Sequence, residues 1–306
     1  MKIIIVIGMS SMPASALKKK FSFPYRFGEM PSLKWFNEHQ ELILDIYINP
    51  DVFGLTMQAM NGPDQKDNHS TFEFLKEIKN LGIKICCTLN NVFDPVTIDE
   101  FLNIDKKYLE LIDILVVPTQ EWLSLKYLFE IRSSVILDLT ITDLRKDSIW
   151  SEFDCVYIHG DNLRNVNEYS SFNNLGAVVN FNDCVSWCTI KNSHYSSLNK
   201  EKFSTDGFCP TKKMLPDERL LAVTRIPPFL SEYIFYAQHL KVFKLQGRGT
   251  TDTFQDSINI IENIHLNKEL LTPDAKRMQL LMPGIELYKW LREIRNTRNT
   301  KENNVN

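Results

Sequence analysis

The densest chemistry in the chain lies between Val179 and Pro210. It reads Val179-Asn180-Phe181-Asn182-Asp183-Cys184-Val185-Ser186-Trp187-Cys188, then His194-Tyr195, then Cys209-Pro210. Cys184 and Cys188 form a C-x3-C pair, a spacing that on a turn or first helical turn sets both sulfurs on one side. There they could share one metal ion or cluster. Cys209 could fold back as a third ligand, and a metal would stabilise a polar stretch with little apolar content to bury. The fourth position stays open among His194, Cys155 and a water or substrate. An iron–sulfur cluster and zinc both suit such thiolates, whereas ordinary buried cysteines need no metal at all. Cys86 and Cys87 fall inside an apolar run, where packing accounts for at least one of them. Cys155 opens another such run, at the end away from the chemistry.

A second constellation is Phe243-Lys244-Leu245-Gln246-Gly247-Arg248-Gly249. Lys244 and Gln246 alternate with Phe243 and Leu245, so in a strand the two polar side chains share one face. In a barrel that face is the interior, where a lysine is costly unless it is paired or used. Its partner is then an acid such as Asp138 or a substrate anion. Arg248 could clamp a carboxylate or phosphate in the two-pronged way that lysine cannot.

The elements that must position these residues alternate in type. Ile3–Ile7, Leu42–Ile48, Ile83–Leu89, Ile114–Val117, Ser134–Leu139, Asp154–Ile158, Gly176–Phe181 and Lys241–Leu245 read as strands. Helical patterns near Pro31–His39, Thr71–Leu81, Ile98–Ile112 and Gln120–Ile131 separate several of them. Gly82 is a C-cap and Thr119 an N-cap. Strands apolar on both faces and alternating with helices imply a covered parallel sheet, and eight of them imply a closed (β/α)8 TIM-like barrel. Residues 1–295 then form one domain. It carries a cysteine-bearing insertion, 182–228, between strands seven and eight, and 296–306 is a disordered polar tail. Reactive groups in such barrels gather at the C-terminal strand ends. That rule selects Lys244, Arg248 and His159 as catalytic candidates, and Asn90, Asp138, Asn180 and Gln246 for substrate. Asn91, Thr140, Asp161, Asn182 and Asp183 stand on the same rim.

The bulk composition excludes several classes. With 43% hydrophobic and 24% charged residues the chain is globular in type. A net charge of −3, and no basic run longer than Lys18-Lys19-Lys20, argue against a nucleic-acid face. Gly8-Met9-Ser10-Ser11 lacks the glycine spacing of a dinucleotide loop. Ile3–Ile7 is shorter than a signal-peptide core, and no run approaches the ~20 apolar residues of a membrane span. A cytoplasmic location and no membrane partner are the expectation, and without a secretory signal a disulfide framework is not expected.

Three passages resemble the peptidase U32-like family. Phe243-Lys244-Leu245-Gln246-Gly247-Arg248 is similar to its "fKL.GR" signature, and Val179-Asn180-Phe181-Asn182-Asp183-Cys184 to its "VNEGC" element. Gly82-Ile83-Lys84-Ile85 running into Leu89-Asn90 is similar to its "GIK…LN" strand. The likeness spans roughly residues 40–250. It implies a TIM-like barrel and, through Cys184, Cys188 and Cys209, a [4Fe–4S] cluster supporting oxygen-independent, hydroxylation-like redox chemistry on a small metabolite. Asn182-Asp183 stands where the family has Glu-Gly, Thr189 where it has proline, and no fourth cysteine follows downstream. Two other functions remain. One is a supporting, non-catalytic barrel paired with a homologous subunit. The other is a hydrolase or peptidase, although neither a G-x-S-x-G elbow nor an H-E-x-x-H helix is present.

Overall fold

A computed structural model describes residues 14–53, 55, 68–89, 96–133, 148–158, 169–179, 233–234, 236–246 and 251–266. Eight strands close into one barrel in sequence order: β1 (Phe21–Pro24), β2 (Ile43–Ile48), β3 (Lys84–Thr88), β4 (Ile114–Val117), β5 (Glu130–Ser133), β6 (Cys155–Ile158), β7 (Leu175–Val179) and β8 (Val242–Leu245). Every neighbouring pair is parallel, and β8 returns to β1 through Phe21↔Phe243 and Ser22↔Lys244. Closure leaves no edge to protect. The expected (β/α)8 barrel is therefore the fold.

Helices α1 (Leu33–His39), α2 (Asn68–Asn80), α3 (Ile98–Leu102), α4 (Lys106–Leu111) and α5 (Thr251–His265) stand between and after the strands. The outward strand residues Phe21, Phe23, Ile46, Ile48, Ile85 and Leu115 join Phe36, Leu75, Ile78, Phe254 and Ile261 in one apolar layer. Phe23 is its hub, with ring centroids 5.5 Å from Trp35, 5.8 Å from Phe36 and 5.7 Å from Phe254. Aromatic contacts of this kind add about 0.5–1.5 kcal/mol each beyond their buried area. No helix among the described residues is long and apolar enough to cross a membrane.

Six strands fall where the apolar runs predict them, and two do not. The barrel closes with Phe21–Pro24 as its first strand, and Ile3–Ile7 lies outside the described residues. Strand β1 escapes a reading by apolar runs because it is four residues long and ends in proline. Its register with β2 also steps over Leu44, pairing Phe21 with Ile43 and then Ser22 with Asp45. The fifth strand is Glu130–Ser133, while 134–139 lies outside the described residues. The helix expected at Gln120–Ile131 is a 3-10 helix over Gln120–Leu125, and Thr119 makes no side-chain cap there.

The helix expected over Ile98–Ile112 is two helices. Thr97 caps the first in a reciprocal box with Glu100, and Asp105 starts the second by accepting from the Lys107 N–H. Gly82 does end α2, with φ +72°, a conformation in which a side chain would be strained. Residues 182–228 and 296–306 lie outside the described residues.

Candidate functional site

Strand alternation sends Ser22, Asp45, Tyr47, Cys86, Arg132, Tyr157 and Lys244 inward, while Phe21, Ile46, Cys87, Ile131, Ile158 and Phe243 face the helices. Branched aliphatic side chains ordinarily fill such an interior. Here the filling is largely polar and ionic. Asp45 and Arg132 are both fully excluded from solvent, and Lys244 is 8% exposed.

Arg132 is the hub. Its Nη1 donates to Asp45 Oδ2 at 2.8 Å and to the Tyr157 hydroxyl at 2.9 Å, and its Nε donates to Glu130 Oε1 at 2.8 Å. Ser22 Oγ donates to the other Asp45 oxygen. Glu130 also takes Lys84 Nζ at 2.8 Å, which carries the chain of charges from the interior to the outer end of the barrel. Burial opposes the Arg132 charge, yet Asp45, Tyr157 and Glu130 outweigh it and hold the guanidinium charged well above its ordinary range. Burial likewise opposes ionisation of Glu130, but Arg132 and Lys84 prevail and lower its pKa.

Lys244, next to last in β8 and in register with Ser22, adjoins this cluster. Its Nζ lies 4.7 Å from the Tyr47 ring centroid and 5.1 Å from that of Tyr157. Both rings thus offer their negative faces to one ammonium. Each ring is pinned. Tyr47 donates its hydroxyl to the Leu245 carbonyl, and Tyr157 accepts from Arg132. Burial keeps the Tyr157 phenol protonated far above its normal pKa. Gly176 makes room for that ring: a Cβ there would lie 2.9 Å from Cys155 Sγ and 3.0 Å from the Tyr157 ring.

The inward orientation expected for Lys244 is therefore correct. Gln246 follows β8 directly and is half-buried, and its carbonyl accepts the Ser257 hydroxyl from α5. Asn90, Asp138, His159, Asn180, Arg248, Cys184, Cys188, His194 and Cys209 lie outside the described residues. Among the described residues no group of three or more His, Cys, Asp or Glu could hold a metal. Cys86, Cys87 and Cys155 are buried thiols. Burial raises the Cys86 pKa steeply and pushes Cys155 up to about 12, so neither is poised as a thiolate ligand.

Sequence reasoning missed Asp45, Tyr47, Arg132 and Tyr157. The available signal was one carboxylate inside the apolar run Leu42–Ile48. An acid there needs a buried partner. Neither a protein-family model nor a curated protein matches the chain.

Proposed function

We propose that this chain is a barrel enzyme acting on an anionic small metabolite at the C-terminal mouth, with Lys244 as the group that receives the anion. One observation carries the reading. A nearly buried ammonium faces inward near the end of β8, held between two tyrosine rings that are themselves pinned by hydrogen bonds. Such fixed placement suits a positive charge meant to meet a ligand, since nothing need reorganise when the ligand arrives.

The redox half of the proposal rests on sequence. Cys184, Cys188 and Cys209 would hold a [4Fe–4S] cluster, with His194 or a substrate as a further ligand, and zinc is the alternative occupant. Among the described residues the buried thiols of Cys86, Cys87 and Cys155 have a packing role. That leaves the C-x3-C segment as the place to look. A cluster would supply one-electron chemistry for an oxygen-independent hydroxylation, and a homologous barrel subunit would be a fitting partner.

The test has two arms. Dialysis of anaerobically purified protein against mixed phosphorylated and carboxylic metabolites, read by mass spectrometry, should retain an acid on wild type and not on Lys244→Met. Iron and acid-labile sulfide in the same preparation should be present in wild type and lost in Cys184→Ala. Retention of the same acid by both proteins would sink the role of Lys244. Absence of iron and sulfide from a folded wild type would sink the cluster.

A further inference from the structure

Two donors in the Arg132 cluster have nothing to donate to among the described residues. Arg132 uses Nε and Nη1, but Nη2 is buried without a hydrogen-bond partner. The Tyr157 oxygen accepts from Arg132 Nη1, and arginine cannot accept in return, so the Tyr157 O–H must point elsewhere. No acceptor for it stands among the described residues. The two groups are adjacent, linked by the 2.9 Å bond from Nη1, and the Lys244 ammonium lies over the same tyrosine ring. Buried donors left unmatched cost stability and ordinarily mark an acceptor that is part of the working molecule.

We infer that Arg132 Nη2 and the Tyr157 hydroxyl form an oxyanion subsite inside the barrel, sharing Tyr157 with Lys244, that takes a carboxylate or phosphate group of the ligand. The inference rests on the mouth reading of Lys244 and extends it inward. Its chemistry is selective in one direction: every group offered is a donor, so an amide N–H or an ammonium is rejected and an oxygen anion is accepted. The Arg132 charge and the Tyr157 proton both persist across the ordinary pH range, which keeps the subsite in its donor state.

The test is calorimetric titration of the full chain with inorganic phosphate and, separately, with malonate, at constant ionic strength set by chloride. Tyr157→Phe keeps the ring under Lys244 and removes only the hydroxyl. Loss of a hydrogen bond to an anion weakens affinity about tenfold or more, so that is the expected rise in Kd, whereas Lys244→Met weakens it separately. Binding of phosphate alone assigns a phosphoryl group, and binding of malonate alone a carboxylate; either supports the subsite. Wild-type affinity in Tyr157→Phe, with loss only in Lys244→Met, overturns the subsite and leaves the mouth reading standing. No binding of either anion by wild type removes both. Should Tyr157→Phe not fold, diffraction from wild-type crystals soaked in phosphate decides. An anion within hydrogen-bond distance of Arg132 Nη2 upholds the subsite, and a water in that place overturns it.

Discussion

Removing the Asp45 carboxylate should be among the most destabilising single changes in the barrel. Asp45 is fully buried and accepts from Ser22 and from Arg132 at 2.8 Å. In Asp45→Ala, Arg132 stays buried with its charge and keeps only Glu130 and the Tyr157 hydroxyl as acceptors. Stranding one member of a buried pair costs about 3–5 kcal/mol. For a chain of this size, with a urea slope near 3 kcal/mol/M, the unfolding midpoint should fall by about 1–1.7 M. The assay is equilibrium urea unfolding followed by circular dichroism, run beside Arg132→Met and the double variant Asp45→Ala/Arg132→Met. The double variant carries no stranded charge, so its cost should fall short of the sum of the singles by about 1–3 kcal/mol. A loss under about 1 kcal/mol in Asp45→Ala, or plain additivity in the double, would refute the reasoning. Water would then reach the pair, and the interior would not be the dry ionic core described.

Three other outcomes follow from the same interior. Gly176→Ala must displace Cys155 Sγ and the Tyr157 ring, and overpacking of this kind costs about 1–3 kcal/mol; tryptic resistance and urea midpoint should both drop, and an unchanged midpoint would show that both neighbours have room. Cys86, Cys87 and Cys155 should resist iodoacetamide at pH 8 in native protein and react fully in urea, as read by site-resolved mass spectrometry; rapid native labelling of Cys155 would contradict its burial. Glu130 has its pKa lowered in the fold, so its contribution to stability is present above the unfolded value near 4.5 and is lost as pH falls through the folded value. Glu130→Gln should therefore flatten the acid limb of the stability curve, and an identical acid limb in both proteins would count against the Lys84–Glu130–Arg132 chain.

How far the sequence reveals this molecule depends on which face of each strand bears charge. Strands β2, β3, β4, β6, β7 and β8 announce themselves because apolar residues dominate them, and Lys244 is legible as inward-facing from its alternation with Phe243 and Leu245. Strand β5 is hidden for the opposite reason. Glu130 and Arg132 look like the polar stripe of a surface helix, yet they line the barrel interior and bond to each other, Lys84 and Asp45. Periodicity locates apolar faces, and an ionic interior inverts its usual meaning. Tyr47 and Tyr157 were equally silent, since a tyrosine in a strand reads as packing until the ammonium above it is seen. The partner expected for Lys244 was Asp138, outside the described residues; the neighbours found are aromatic faces.

Calorimetric titration of malonate and inorganic phosphate into wild type and Lys244→Met, at matched ionic strength, tests the central claim most directly. The account predicts saturable one-site binding of at least one anion to wild type. In the folded variant, affinity should be at least about tenfold lower, the loss of one charge-assisted contact. Equal affinity in the two proteins would contradict it, and Lys244 would then be a structural cation of the barrel wall rather than the receptor of a ligand.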